Sequence, residues 1–206
     1  MISGIFPATT MPDADWWQAL WPDPAKVLAE IDVEPGMVAV DLCCGNGLFT
    51  APMACIVRHV YAIDIDPDML DRARARVAAA GAANCEFLVA NAMTVDGVVL
   101  EPVDYVFLAN TFHGVPDRLG LARAVAATLK SKAQFGIVNW HRQPRGETVV
   151  RGKPRGPKTE MRMEPDDVAA IVEPASLVLN RMVDLPPYHY GVVFQRGGGD
   201  DRRVTH

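Results

Sequence analysis

Apolar residues fall into short runs separated by helical stripes, the order expected of a sheet of parallel strands with helices between them. Trp16, Trp17, Leu20 and Trp21 share one face of a short helix with Asp13 as its N-cap. Residues 22–31 read as the next helix, burying Val27, Leu28 and Ile31, and Glu34-Pro35-Gly36 turns into the first strand. Val38, Ala39, Val40 and Leu42 form an apolar run interrupted by Asp41, the pattern of a strand buried on both faces. Gly45 and Gly47 end it, and Leu48, Phe49, Pro52, Met53, Ile56 and Val57 then fall on one side of a helix, with Pro52 tolerated in its first turn. A second strand at residues 59–63 precedes a helix with Asp66 at the N-cap, Pro67 at its first position and Gly81 at its end. Its buried stripe is Met69, Leu70, Ala73, Val77 and Ala80, with Arg72, Arg74 and Arg76 as a solvated face. Strands follow at 85–89, 103–110 and 134–140. Leu119, Ala122, Val125, Ala126 and Leu129 mark the helix between the last two, and another helix spans residues 165–172. Residues 177–185 and 188–195 read as two closing strands joined by Pro-Pro.

This pattern predicts a Rossmann-like, doubly wound α/β fold: seven strands, mostly parallel, with helices on both faces. A strand, a turn containing G-x-G and a helix form a crevice, because glycines let a ligand approach the backbone and a helix start presents free N–H groups. Asp64 ends the second strand 23 residues after Asp41, where its carboxylate faces the same crevice and accepts hydrogen bonds from ribose hydroxyls. The dinucleotide fingerprint asks for a third glycine where this chain has Thr50. Asp41 is moreover repulsive to a pyrophosphate but suits a ligand carrying ammonium and sulfonium charge.

The run D-L-C-C-G-N-G, followed by Y-A-I-D-I-D-P-D-M-L, resembles the first two motifs of class I S-adenosylmethionine-dependent methyltransferases of the small-molecule type, similar to quinone-biosynthesis methyltransferases. The resemblance covers residues 27–196 and implies an antiparallel last strand and S-adenosylmethionine as cofactor. It implies that Asp41, Cys43, Cys44, Gly45 and Gly47 form the cofactor turn, which holds the methionine end, and that Ile65 lies against the adenine. Asn91 stands where the family often has an aspartate holding the adenine amino group, and an amide oxygen can accept the same bond. The backbone N–H groups of Ala92 and Met93 are placed toward the ring nitrogens, with Ala109 and Asn110 at the carboxyl end of the fourth strand. Trp16 and Trp17 belong to an N-terminal lid, residues 1–24. Together with His113, His141 and Tyr188 they line the acceptor pocket, and these last three are the catalytic candidates. His113 is the one residue of its segment with acid–base capability near neutral pH.

Half the 206 residues are hydrophobic and 22% are charged, which fits one soluble domain over residues 1–196 with a flexible tail at 197–206. A net charge of −5 argues against nucleic acid as a partner. No apolar run reaches a membrane span and no leader pattern opens the chain, so a cytoplasmic location is expected. The four cysteines show no C-x-x-C pair, which speaks against zinc, and no metal site is expected. They read mainly as small buried residues. Adjacent Cys43 and Cys44 also motivate a thiol-dependent reading.

Residues 141–163 carry seven Arg or Lys against two Glu, with three Pro and three Gly. A loop this long, leaving the carboxyl end of the fifth strand, is functional or disordered. As a cap over the site it supplies cations such as Arg151 and Arg155 to an anionic small-molecule substrate. Methyl transfer by in-line displacement is the function expected. The rivals are a nicotinamide-dependent oxidoreductase, disfavoured by Thr50, and a non-catalytic S-adenosylmethionine-binding protein whose basic loop is an interaction surface. A nucleic-acid methyltransferase is weaker still: the Asn/Asp-Pro-Pro-Tyr sequence of amino-methylating enzymes is absent after strand four, and Leu185-Pro186-Pro187-Tyr188 lies elsewhere.

Overall fold

A computed structural model describes residues 12–198. Its main sheet contains β1 (Val38–Leu42), β2 (His59–Asp64), β3 (Cys85–Val89), β4 (Val103–Ala109), β5 (Leu129–Trp140), β8 (Leu177–Leu185) and β9 (His189–Arg196). A two-residue hairpin, β6 (Val149–Val150) with β7 (Lys153–Pro154), stands apart from it. The order across the sheet is β3-β2-β1-β4-β5-β9-β8, with β9 antiparallel to both its neighbours and the other pairs parallel. This is the doubly wound, mostly parallel sheet expected from the alternating pattern, and its last strand is inserted in reverse. The strand order turns around at β1 and β4, the switch point at which open α/β sheets bind ligands.

Helices cover both faces. Under the short α5 (Val95–Val98), α6 (Arg118–Thr128) and α7 (Pro165–Val172) lie Val40, Val106, Leu108, Phe135 and Ile137, while Ala39, Tyr105, Phe107, Val138 and Trp140 face α1 (Ala14–Leu20), α2 (Pro24–Glu30) and α3 (Thr50–Ile56). The long α4 (Pro67–Ala79) buries Leu70, Ala73 and Val77, and Asp66 caps it by accepting from the Asp68 N–H. Among the described residues no helix is long and apolar enough to cross a membrane.

Several local expectations are corrected. Asp13 precedes α1 but its side chain makes no capping bond, and α2 begins at Pro24 because Asp23 accepts from the Lys26 N–H. Ala80 is exposed, since α4 ends at Ala79. Arg74 is not merely solvated: its guanidinium lies 4.5 Å from the centre of the Phe87 ring. Leu129 opens β5, pairing with Val103, where its apolarity had suggested a helix position; a register shift and the positive φ of Lys132 separate it from the ladder that resumes at Gln134. The final strand starts at His189, because Tyr188 belongs to the turn. Residues 141–163 are neither helix nor open coil but an ordered strap with two 3₁₀ turns and the β6–β7 hairpin.

One tight contact sets the distance between α2 and the sheet. The buried Tyr105 hydroxyl donates to the Ile31 carbonyl at 2.5 Å, and Gly136 on the neighbouring strand makes room for it. A Cβ on Gly136 would sit 2.0 Å from that hydroxyl. Gly136→Ala is therefore expected to cost about 1–3 kcal/mol by overpacking, read as a lower urea midpoint with an unchanged slope. An unaltered midpoint would show that Tyr105 moves aside freely.

Candidate functional site

The carboxyl ends of β1, β2 and β4 open onto a crevice of about 1190 Å³. Its floor is the turn after β1, where Cys43, Gly45 and Gly47 all have positive φ, 60°, 54° and 79° respectively. Cys43 thus occupies a conformation that glycine reaches more easily. Gly47 does not line the crevice. A Cβ there would lie 2.7 Å from Ala73 Cα, so this glycine lets α4 close against the turn.

Asp64 fixes the turn from the second strand. One carboxylate oxygen accepts from the Gly45 N–H at 2.8 Å and the other from the Asp66 N–H at 3.0 Å, leaving further lone pairs toward the crevice. Asp41 is 3% exposed and accepts from the Thr50 hydroxyl at 2.5 Å. Burial pushes its carboxyl up to about 7; the Thr50 bond opposes this and the Asp64 charge adds to it. Neither carboxylate has a cationic partner among the described residues.

The other walls contain Ile65 beyond β2, Asn91 and Ala92 beyond β3, Ala109 at the end of β4, and Asn110 and His113 beyond it. Asn91 caps the 3₁₀ turn Ala92–Thr94 by accepting from the Met93 N–H at 3.0 Å. That N–H is consumed, so Met93 is not a free donor and lies outside the crevice. Asn110, at φ 58°, donates its backbone N–H to Val138, and both polar atoms of its side chain are shielded without a protein partner. The buried Oδ1 of Asn46 is likewise unpartnered. A ligand with donors and acceptors fits these unmet groups, since a buried polar atom left unpaired is costly. His113 is 6% exposed, its Nδ1 lies 3.1 Å from Asn139 Oδ1, and burial lowers its pKa below the ordinary value.

Trp16 and Trp17 of α1 form the outer wall, and Arg155 from the strap lies over Trp16, 5.0 Å from its ring centre. Arg145 joins Arg155 there, and neither has a carboxylate partner among the described residues. Arg151 does not take part, because it sits exposed at the hairpin tip.

Two of the three catalytic candidates also fall outside the crevice. His141 is turned to Asp184, 3.1 Å away, and to Glu164 at 3.8 Å. The Tyr188 hydroxyl donates to the Val149 carbonyl and accepts the Val149 N–H, while its ring stacks parallel to Trp140. Both side chains hold the strap. The thiol-dependent reading loses its basis as well: burial, with Asp41 and Asp64 nearby, drives Cys43 and Cys44 well above the ordinary thiol range, so neither is a thiolate at neutral pH.

The strap's shape depends on Arg162, which is 2% exposed. Its guanidinium donates to the carbonyls of Pro157, Gln143 and Arg155 and to the Thr148 hydroxyl at 2.9–3.2 Å, and rests over Trp140. The sequence pattern grouped Arg145 and Arg162 alike with the loop's other cations and gave no role to Trp140 in the site or to Asn139 behind it. Removing Arg162 strands the Pro157 and Gln143 carbonyls and takes one of two donors from that of Arg155. Arg162→Ala is expected to cost about 2–4 kcal/mol and to expose the strap to trypsin at Arg151 and Arg155, each of which precedes a glycine. Cleavage no faster than in the unmodified protein would contradict this.

Residues 39–132 match a family model described as a methyltransferase domain. A SAM dependent methyltransferase from Aquifex aeolicus shares the fold at a TM-score of 0.73 with 26% identity, covering 89% of this chain and 94% of that one. A ubiquinone biosynthesis O-methyltransferase of Xanthomonas campestris is 25% identical over 182 residues, 80% of this chain and 76% of the relative. A 23S rRNA (uracil(1939)-C(5))-methyltransferase, RlmD, of the same species is 37% identical over 67 residues. That match takes in 32% of this chain and only 15% of the length of the relative.

Proposed function

We propose that the chain is a class I S-adenosylmethionine-dependent methyltransferase, a reading supported by the methyltransferase-domain match over residues 39–132 and the fold shared with the Aquifex aeolicus protein, and that it transfers a methyl group to a small-molecule acceptor by in-line displacement. The observation that carries this reading is the pair Asp41 and Asp64, two carboxylates without a cationic partner beside a glycine turn at the sheet's switch point. A pyrophosphate would meet repulsion there, whereas sulfonium and ammonium charges relieve it. The cofactor, when bound, supplies an electrophilic methyl carbon whose bond to sulfur breaks with its electron pair left on sulfur.

In this reading the Asp64 carboxylate, already oriented by two backbone N–H groups, holds the ribose hydroxyls. Asp41 and the turn from Cys43 to Gly45 hold the methionine end, with Asn110 beside it. Ile65, Asn91 and Ala92 receive the adenine; the Asn91 oxygen, already accepting one bond, keeps a second lone pair for its amino group. Trp16 and Trp17 act as a lid. With the strap they exclude water and align the acceptor, effects that together reach about 7–11 kcal/mol in well-oriented systems. Arg145 and Arg155 favour an anionic acceptor, and His113 is the base where the acceptor must lose a proton.

Calorimetric titration with S-adenosylmethionine, S-adenosylhomocysteine and NAD tests this. The first two are expected to bind and NAD to give no heat. Asp64→Ala is expected to weaken S-adenosylhomocysteine by about 10-fold or more, since one ribose hydrogen-bond pair is worth at least about 1.4 kcal/mol. Binding of NAD alone would refute the cofactor assignment, and an unweakened Asp64→Ala would remove Asp64 from the ribose. Methyl-donor consumption with any acceptor separates an enzyme from a non-catalytic binding protein.

A further inference from the structure

The hydrogen-bond partner of His113 identifies which ring nitrogen carries the proton. Asn139 lies on β5, is fully buried, and its Oδ1 receives the Trp140 N–H at 3.2 Å. A backbone N–H is only ever a donor, so the atom facing it is the amide oxygen and not the amide nitrogen. That same oxygen lies 3.1 Å from His113 Nδ1. Two groups meeting at one acceptor must both donate, and so His113 Nδ1 carries the hydrogen. The Tyr190 hydroxyl, which donates to the Met163 carbonyl, lies beside the amide.

We infer that Asn139 is a positioning residue that locks His113 as its Nδ1–H tautomer, leaving the Nε2 lone pair as the proton acceptor at the crevice, and that the methyl acceptor is a compound with an O–H or N–H group. The inference rests on the methyltransferase reading for its second half only. Nε2 has no protein partner among the described residues, and His113 itself lines the crevice. The proton lost by the acceptor's oxygen or nitrogen as it takes the methyl passes to Nε2. The resulting imidazolium keeps its Nδ1–H bond to Asn139 and later releases the Nε2 proton to water.

The groups around the ring keep it neutral beforehand. Arg118 of α6 donates to the carbonyls of Phe112 and His113, Arg162 approaches from the strap, and His189 lies nearby on β9. None of them is an acid. Burial first, and then the Arg118 and Arg162 charges, hold the ring's pKa below the ordinary 6.5 against the opposing Asn139 bond, so it is unprotonated at neutral pH. A neutral histidine with its lone pair held toward the ligand is a base; a charged one is not.

Nitrogen-15 NMR of the imidazoles tests this without knowledge of the acceptor. The chain has five histidines, few enough to assign by substitution. The expected spectrum gives His113 a protonated Nδ1 and a bare Nε2, with a titration midpoint under 6.5. Asn139→Leu should let the Nε2–H tautomer grow in, and Asn139→Asp should raise the midpoint by about 1 unit through the added charge. A loosened fold alone would not produce opposite signatures in the two variants. An Nε2–H tautomer in the unmodified protein overturns the inference, whether or not either variant folds, and so does an Asn139→Leu spectrum identical to it. S-adenosylhomocysteine binding, measured on the same sample, reports separately on the methyltransferase reading. Absence of that binding removes the acceptor class while leaving the tautomer to be judged by its own spectrum.

Discussion

Asp41, one residue before the end of β1, is a carboxylate with 3% exposure, and the Thr50 hydroxyl is the one protein donor that reaches it among the described residues. Its folded pKa of about 7 lies above the ordinary carboxyl value, so between about pH 4 and 7 the folded state holds a proton that the unfolded chain has released. The contribution of this group to stability therefore falls as pH rises through that window. A chain selected for stability alone would have an apolar residue here. Keeping the acid makes sense where a cation enters beside it, and the features around the crevice follow from that. Thr50 replaces the glycine that a dinucleotide site would need. Asp64 adds a second negative charge while tying down Gly45, and Gly47 lets α4 come close enough to shield the turn.

The opposite wall has the opposite sign. Arg145 and Arg155 reach the crevice only because the strap is folded, and the strap is folded around a cation that never reaches the crevice. Arg162 replaces the missing secondary structure of residues 141–163 with one guanidinium serving four acceptors, while Tyr188 pins the hairpin from the turn before β9. The donors of a planar guanidinium point in fixed directions, so lysine could not organise the same loop. Two carboxylates on one wall and two guanidinium groups on another give the crevice regions of opposite charge, and His113 lines it as well.

Most of the framework was legible in the sequence, because strand and helix periods are local. The run 38–42, the spacing from Asp41 to Asp64 and the capped helix at Asp66 each specify their element within a few residues. Errors came where a local signal has two readings. Leu129 is apolar and follows a helix, yet it is a strand residue because Val103 offers it a ladder position. His141 and Tyr188 carry chemistry-capable side chains near strand ends, but their partners Asp184, Glu164 and Val149 turn them to structural use, and those partners are distant in sequence. Asn139 and Arg162 gave no signal at all: one looks like a polar residue interrupting a strand, the other like one more cation in a basic loop. What distinguishes them is burial and the direction of their donors and acceptors, which only tertiary packing sets.

An uncompensated, partly protonated Asp41 is suited to a cationic ligand, and proton linkage reports on that pairing. Titration of S-adenosylmethionine near pH 7 in two buffers of different ionisation enthalpy gives the number of protons exchanged on binding. Net release is expected, together with an affinity that falls about tenfold per pH unit below 7, and Asp41→Asn should abolish the release. Binding with no proton exchange, or a release that persists in Asp41→Asn, would contradict the account.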